Sequence, residues 1–208
     1  YMAGKHNIPV HIDGARIWNA AIFMKQPLSY VTAHADTVTA CLSRGLGAPA
    51  GTCLMGSAEF IERARRATKA LGGYLGQGMD VLAASALQAL DEHEESMASG
   101  EGGLAADHTK AKVLAEALAP LPGLYVDTQS VQTNIVLVHV DDDFPGGRDV
   151  LVSGLENAGI YVLRFARNSI RLVLHRDVDN NKVIEVISVF RAITKDAWGK
   201  TQGGGSVS

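Results

Sequence analysis

The sequence predicts an α/β protein in two pieces, on three observations. Short apolar, β-branched runs alternate with longer helical patterns through the first hundred residues. A glycine-rich break at 99–103 separates them from a second set of strands with helices laid on it. The strand at 37–42 opens into the loop Ser43-Arg44-Gly45-Leu46-Gly47-Ala48-Pro49-Ala50-Gly51, the kind of segment that presents a side chain at the end of a sheet. Domains are expected at 1–98 and 99–196, with 197–208 as a flexible tail.

Each element follows from local pattern. Ile8-Pro9-Val10-His11-Ile12 reads as a short buried strand, with Pro9 near its start, where a missing N–H is tolerated. His11 reads as a packed core histidine. Thr37–Leu42 and Thr52–Met55 read as two further strands. Ser57 is an N-cap candidate for a helix over 58–71 with Phe60, Ile61, Ala64, Ala67 and Leu71 on one face. Leu71–Gly78 breaks it. A longer helix over 79–97 starts almost wholly apolar, through Val81, Leu82, Ala83, Ala84, Ala86 and Leu87, and is expected to be buried there on most sides. Its acidic second half must reach solvent. Beyond the break come a helix at 104–119 and strands at 124–127 and 131–140. A helix at 148–158 follows, then strands at 160–165 and 169–174 joined by a turn at Arg167-Asn168. A last amphipathic helix runs over 179–196.

Composition narrows the function. Of 208 residues, 47% are hydrophobic and 20% charged, which is ordinary for a globular protein. A net charge of -3 gives no reason to expect nucleic acid or an anionic membrane as partner. The two cysteines, Cys41 and Cys53, read as buried reduced thiols, and their spacing matches no zinc pattern. No apolar run is long enough for a membrane span and no signal peptide is visible, so a cytoplasmic location is expected. Tyr1 is followed almost at once by a strand, so the chain reads as starting in the middle of a domain.

Two segments could carry chemistry. In His11-Ile12-Asp13-Gly14-Ala15-Arg16 a strand ends on a carboxylate, where open α/β sheets place their ligands. By spacing alone, Asp13 could equally be a solvent-facing turn residue paired with Arg16. The 43–51 loop could cradle a phosphate, though it lacks the Walker pattern, or could be a plain strand-to-strand turn.

Taken together, "HIDGARIWNA", "SRGLGAPAG", "FIERARRATKALGG", "TNIV" and "IRLVLHRDV" resemble the L-threonine aldolase family, in the same order and at comparable spacings. These are pyridoxal-phosphate enzymes of fold type I, related to the β-eliminating amino-acid lyases. The resemblance implies the C-terminal part of a fold type I large domain followed by a small α+β domain. It implies pyridoxal 5'-phosphate as cofactor, a small amino-acid substrate and a homo-oligomer. It gives Asp13 the cofactor's pyridine nitrogen, Arg16 the neighbourhood of its phenolic oxygen and Arg171 the substrate α-carboxylate. Arg44 departs from the family, which has a Schiff-base lysine there. Arginine stays protonated and cannot form that bond, so covalent attachment is not expected. Lys69 matches a lysine the family also carries and is not a displaced anchor. A second departure falls at Gly76-Gln77, where the family has arginine before the glutamine. The family's N-terminal half, with most of the phosphate cup and a histidine that stacks on the ring, is expected to lie outside these residues. The implied reaction is retro-aldol cleavage of a β-hydroxy-α-amino acid such as threonine to glycine and an aldehyde. A non-catalytic relative that packs with full-length partners, or a related β-elimination or racemisation enzyme, is the alternative.

Overall fold

The computed structural model describes residues 2–73, 79–99 and 102–203. The chain divides into two compact units, Tyr1–Ala105 and Ala106–Ser208.

The first unit is built on a three-stranded sheet of β1 (His11–Gly14), β2 (Thr37–Cys41) and β3 (Thr52–Met55), in that order. β1 runs parallel to β2, with Asp13 opposite Thr39, and β3 returns antiparallel, with Thr52 opposite Cys41. Parallel neighbours need a crossover. It is supplied by α2 (Ile17–Met24) and the single turn α3 (Leu28–Val31); another single turn, α1 (Met2–Lys5), precedes β1. Helix α2 buries Ile17, Trp18 and Ala21 and ends on Lys25, whose left-handed backbone (φ 52) lets its N–H reach the carbonyls of Ala21 and Ile22. Gly14 is obligatory where β1 turns into this helix, because a Cβ there would lie 2.0 Å from the Thr39 carbonyl oxygen.

Alternation along β2 decides which side of the sheet is covered. Val38 and Ala40, with Leu42 just beyond, point into a core with Ile17, Trp18, Leu46 and Ala48. Thr37, Thr39 and Cys41 point the other way, onto the face shared with His11 and Asp13 of β1.

Several expectations are corrected here. The strand expected at 8–12 begins at His11, because its partner begins at Thr37 and the Asp36 carboxylate takes the Val10 amide at 2.7 Å; Ile8 is exposed. His11 is exposed rather than packed in the core, its Nδ1 2.8 Å from the Thr37 hydroxyl. Helix α4 (Ala58–Ala70) starts where expected, with the Ser57 hydroxyl accepting from the Phe60 amide at 3.2 Å, yet buries none of its residues, and Leu71 is 88% exposed. Helix α5 (Met79–Ser99) is exposed on most sides of its apolar half: Val81 is 71% and Leu87 62% exposed, while Ala86 and Ala89 are buried in the core and Leu90 packs against it. The expected break at 71–78 falls partly outside the described residues.

The second unit carries an antiparallel sheet of β4 (Leu124–Tyr125), β5 (Ile135–Val140), β6 (Leu163–Phe165) and β7 (Ser169–Val173), in the order β4-β5-β7-β6. One face, with Val136, Val138, Val140, Ile170 and Leu172, is buried with residues of α6 (Gly103–Leu118), α7 (Gly147–Asn157) and α8 (Asn180–Gly203). The turn between β6 and β7 puts Ala166 at φ 50, and the Arg148 guanidinium holds it by donating to the carbonyls of Ala166 (2.9 Å) and Arg167 (2.7 Å). Helix α8 runs past the end expected at 196, so the stretch to 203 is helical and not a tail. Nothing breaks it there: Ala197 is in the core and the Trp198 indole donates to the Pro122 carbonyl at 3.2 Å. Among the described residues no helix is long and apolar enough to cross a membrane.

Candidate active site

The uncovered face of the first sheet gathers a set of polar groups at the carboxyl end of its parallel pair. Asp13 is the last side chain on that face of β1. Its Oδ1 accepts from the Ala15 amide at 3.1 Å, an Asx turn that fixes the carboxylate as the chain turns into α2. Arg16 follows at the N-cap of α2, half-buried. Thr39 stands opposite Asp13 on β2, its hydroxyl 3.4 Å from the Ile12 carbonyl.

The loop after β2 is closed on itself and tied to the core. Its ends meet where the Leu42 amide donates to the Gly51 carbonyl at 3.0 Å, and the Ala48 amide returns to the Leu42 carbonyl at 3.0 Å. The indole N–H of Trp18 donates to the Cys41 carbonyl at 2.9 Å. Leu46 and Ala48 are buried. Gly45 has the Asn19 side chain against it: a Cβ there would lie 2.7 Å from Asn19 Oδ1. What these anchors leave outside is the tip, Ser43 and Arg44, both exposed.

Cys41 lies beneath that tip, on the uncovered face. Its Sγ is 3.5 Å from the Ser43 hydroxyl. Burial pushes the thiol pKa up, but the Ser43 hydroxyl, the backbone at Ser43 and Arg44, and the charge of Arg44 together outweigh it and hold the thiol below its ordinary range. Both cysteines are free; Cys41 is half-buried and Cys53 exposed, which corrects their reading as buried thiols. The sequence carried the signal for Cys41: in Thr37-Val38-Thr39-Ala40-Cys41, period two groups it with the threonines and not with Val38 and Ala40. Trp18 gave no such signal, because its role depends on a carbonyl 23 residues away.

Asp13, Arg16 and Arg44 are thus carried by segments at or just beyond the carboxyl ends of β1 and β2 in the first unit. Arg171 belongs to the second unit. It sits half-buried on β7, on the face opposite the core, in register between Leu137 of β5 and Leu163 of β6. Gly76-Gln77 lies outside the described residues. Of the lysines in the first unit, Lys5, Lys25 and Lys69, none is on a strand or in the 43–51 loop.

The family model of the beta-eliminating lyases matches residues 1–142. The chain is 38% identical over 190 residues to low-specificity L-threonine aldolase 1 of Arabidopsis thaliana, across 91% of this chain and 51% of that protein. It is 34% identical over 188 residues to the low specificity L-threonine aldolase of Escherichia coli (strain K12), across 90% and 52%. The chain thus spans about half the length of the curated relatives it matches. Among solved structures, serine palmitoyltransferase of Sphingomonas wittichii superposes with a TM-score of 0.71 at 19% identity, over 95% of this chain and 50% of that one. That likeness shows the fold, which is that of the fold type I pyridoxal-phosphate enzymes.

Proposed function

The chain belongs to the beta-eliminating lyase family, and on that premise we propose that its uncovered sheet face serves a lyase of the threonine aldolase type, with turnover held low by Arg44. The family and fold imply pyridoxal phosphate as the cofactor. The residues present fit its ring: an exposed carboxylate at a strand end, held by its own turn, suits a protonated pyridine nitrogen. They do not fit its covalent attachment, since the side chain at the loop tip is a guanidinium with no nucleophilic nitrogen.

The observation that supports the reading is that Asp13 ends one strand of the parallel pair β1–β2 and the pinned loop carrying Arg44 follows the other. The bound cofactor supplies an electron-accepting ring for the charge left on Cα when the Cα–Cβ bond of a β-hydroxy-α-amino acid breaks. Asp13 would keep the ring nitrogen protonated. Arg16 would support the ring's phenolic oxygen, and the role the family resemblance gives Arg171, on the second unit, would be to grip a substrate carboxylate through its planar fork. Threonine would lose its hydroxyl proton, its Cβ and methyl carbon would leave as acetaldehyde as the Cα–Cβ bond breaks, and the remaining fragment would become glycine once Cα regains a proton.

The test compares Arg or Lys at position 44, in this chain and at the matching position of a full-length relative, by glycine and acetaldehyde release from threonine. The full-length lysine form should turn over and the full-length arginine form should fall by at least about 100-fold, the scale of losing a covalent catalytic group. Comparable rates in the two full-length forms would sink the assignment of position 44.

A second reading, a non-catalytic relative that packs against a partner, is favoured by one observation. Leu71 beyond α4 and Val81 and Leu87 on α5 lie open to solvent within the chain. Sizing of the chain with a full-length threonine aldolase tests it; separate elution would refute it.

A further inference from the structure

The arginine at the loop tip changes what the site selects. An amine there would recognise an aldehyde by bonding to it. A guanidinium recognises an acceptor: it presents five N–H donors in a fixed plane and accepts nothing. The platform gives no freedom to bring another group in its place. The loop is closed between Leu42 and Gly51, the Trp18 indole holds the Cys41 carbonyl, and Leu46 is buried, so the charged side chain the loop offers is that of Arg44, beside the Ser43 hydroxyl. Opposite charges belong to the carboxyl ends of neighbouring parallel strands, Asp13 at the penultimate position of β1 and Arg44 in the loop three residues beyond β2. The field of Arg44 also reaches inward, since its charge helps hold the Cys41 thiol low on the uncovered face.

We propose that this is a reversible, non-covalent site for pyridine-ring phosphate esters that carry an oxygen at C4'. Asp13 takes the ring N–H, and Arg44 donates to the C4' oxygen. The proposal rests on reading this face as the cofactor site, and adds what the site accepts. Pyridoxal phosphate has an aldehyde oxygen at C4' and pyridoxine phosphate a hydroxyl oxygen; both accept from a guanidinium. Pyridoxamine phosphate has an ammonium group there, which donates only and repels Arg44. No bond to the protein forms in any case, so the aldehyde has no advantage over the alcohol.

The experiment is equilibrium dialysis of the 208-residue chain and its Arg44→Lys variant with each of the three esters. Borohydride reduction and peptide mapping around position 44 follow. The wild-type chain should bind pyridoxal and pyridoxine phosphate within about threefold of each other. It should bind pyridoxamine phosphate roughly tenfold more weakly, the effect of two like charges near contact in partly screened surroundings. Borohydride should add no mass to it. The lysine variant should prefer pyridoxal phosphate over pyridoxine phosphate by at least about tenfold and retain it at residue 44 after reduction.

Two outcomes overturn the inference and leave the cofactor-site reading standing. One is a wild-type preference for pyridoxal phosphate with reductive fixation at another lysine. The other is no binding by the wild type while the variant links pyridoxal phosphate at 44. Absence of binding and fixation in both proteins overturns the cofactor-site reading, and the inference with it.

Discussion

Replacing Trp18 with phenylalanine isolates the bond that holds the loop carrying Arg44. The indole N–H reaches the Cys41 carbonyl at 2.9 Å, and Trp18 itself is almost fully buried. Phenylalanine keeps a ring in the core but offers no donor. A net hydrogen bond is worth about 1 kcal/mol, and leaving the carbonyl partly buried without its partner moves the loss toward the upper part of that range. The smaller ring also gives up roughly 40 Å² of buried apolar area, about 1 kcal/mol at 25 cal/mol per Å². The edge-on contact with the His93 ring, at a centroid distance of 5.4 Å, is weakened as well. The total is about 2 kcal/mol, which for a unit of this size lowers its melting temperature by roughly 8–16 °C. Hydrogen exchange gives the local readout: the Leu42 and Ala48 amides, which close the loop, should exchange faster than in the wild type. Trp198→Phe is the control. Its indole also donates to a carbonyl, that of Pro122 at 3.2 Å, but in the second unit, so loop exchange should not change. A Trp18→Phe protein with unaltered melting and unaltered exchange at Leu42 and Ala48 would refute the claim that the indole pins the platform.

Acid should loosen the same region. Burial holds the His93 pKa below the ordinary histidine value, against the opposing pull of Glu94, so the unfolded chain binds the proton more readily. Stability from this group is present above about pH 6.5 and is lost as pH falls through the depressed folded value; urea melts from about pH 7 to pH 5 should show the loss, and His93→Gln should flatten it. In the second unit, Lys110→Met should cost about 3–5 kcal/mol in urea, because it leaves the buried Asp107 carboxylate, now 2.7 Å from Lys110 Nζ, without its counter-charge. It also removes the donor to the Val178 carbonyl at 2.7 Å; a change below about 1 kcal/mol would show that the pair is dispensable. The exposed apolar side of α5 should make the chain self-associate with rising concentration in sizing experiments, and Val81→Glu with Leu87→Glu should shift it toward monomer. A wild-type monomer at all concentrations would count against an interface there.

The strands of the first sheet were legible because period-two alternation and the loop glycines sit in local sequence. Thr37–Cys41 and Thr52–Met55 fall where the pattern put them. The burial of α5 was not legible. A run such as Val81-Leu82-Ala83-Ala84 states that apolar surface needs cover and says nothing of whether this chain supplies it. His11 was misread for a related reason: a strand residue between two apolar neighbours reveals a face, and which face is covered is settled only by the placement of α2. Asp13 was singled out because a carboxylate at a strand end followed by glycine is a local signal, and the structure places it there. Its alternative, a turn residue that satisfies its own backbone, describes the same atoms: the Asx bond to the Ala15 amide is what makes the carboxylate a fixed group.

The residues that build the platform are not the residue it displays, and this makes position 44 informative. Trp18, Asn19, Gly45, Leu46 and Gly51 hold the loop through hydrogen bonds, close approach and burial, and none of these contacts uses the side chain of Arg44. The Arg44 side chain ends in solvent above the uncovered face. An exchange of arginine for lysine there keeps the charge and leaves each of those anchors in place, so it should alter stability by no more than about 0.5 kcal/mol. It changes the chemistry the tip displays, from a planar fork of donors to an amine with a nucleophilic nitrogen. A difference in ligand selection between the two forms, at equal stability, can then be assigned to the side chain at position 44 and not to a rearranged loop.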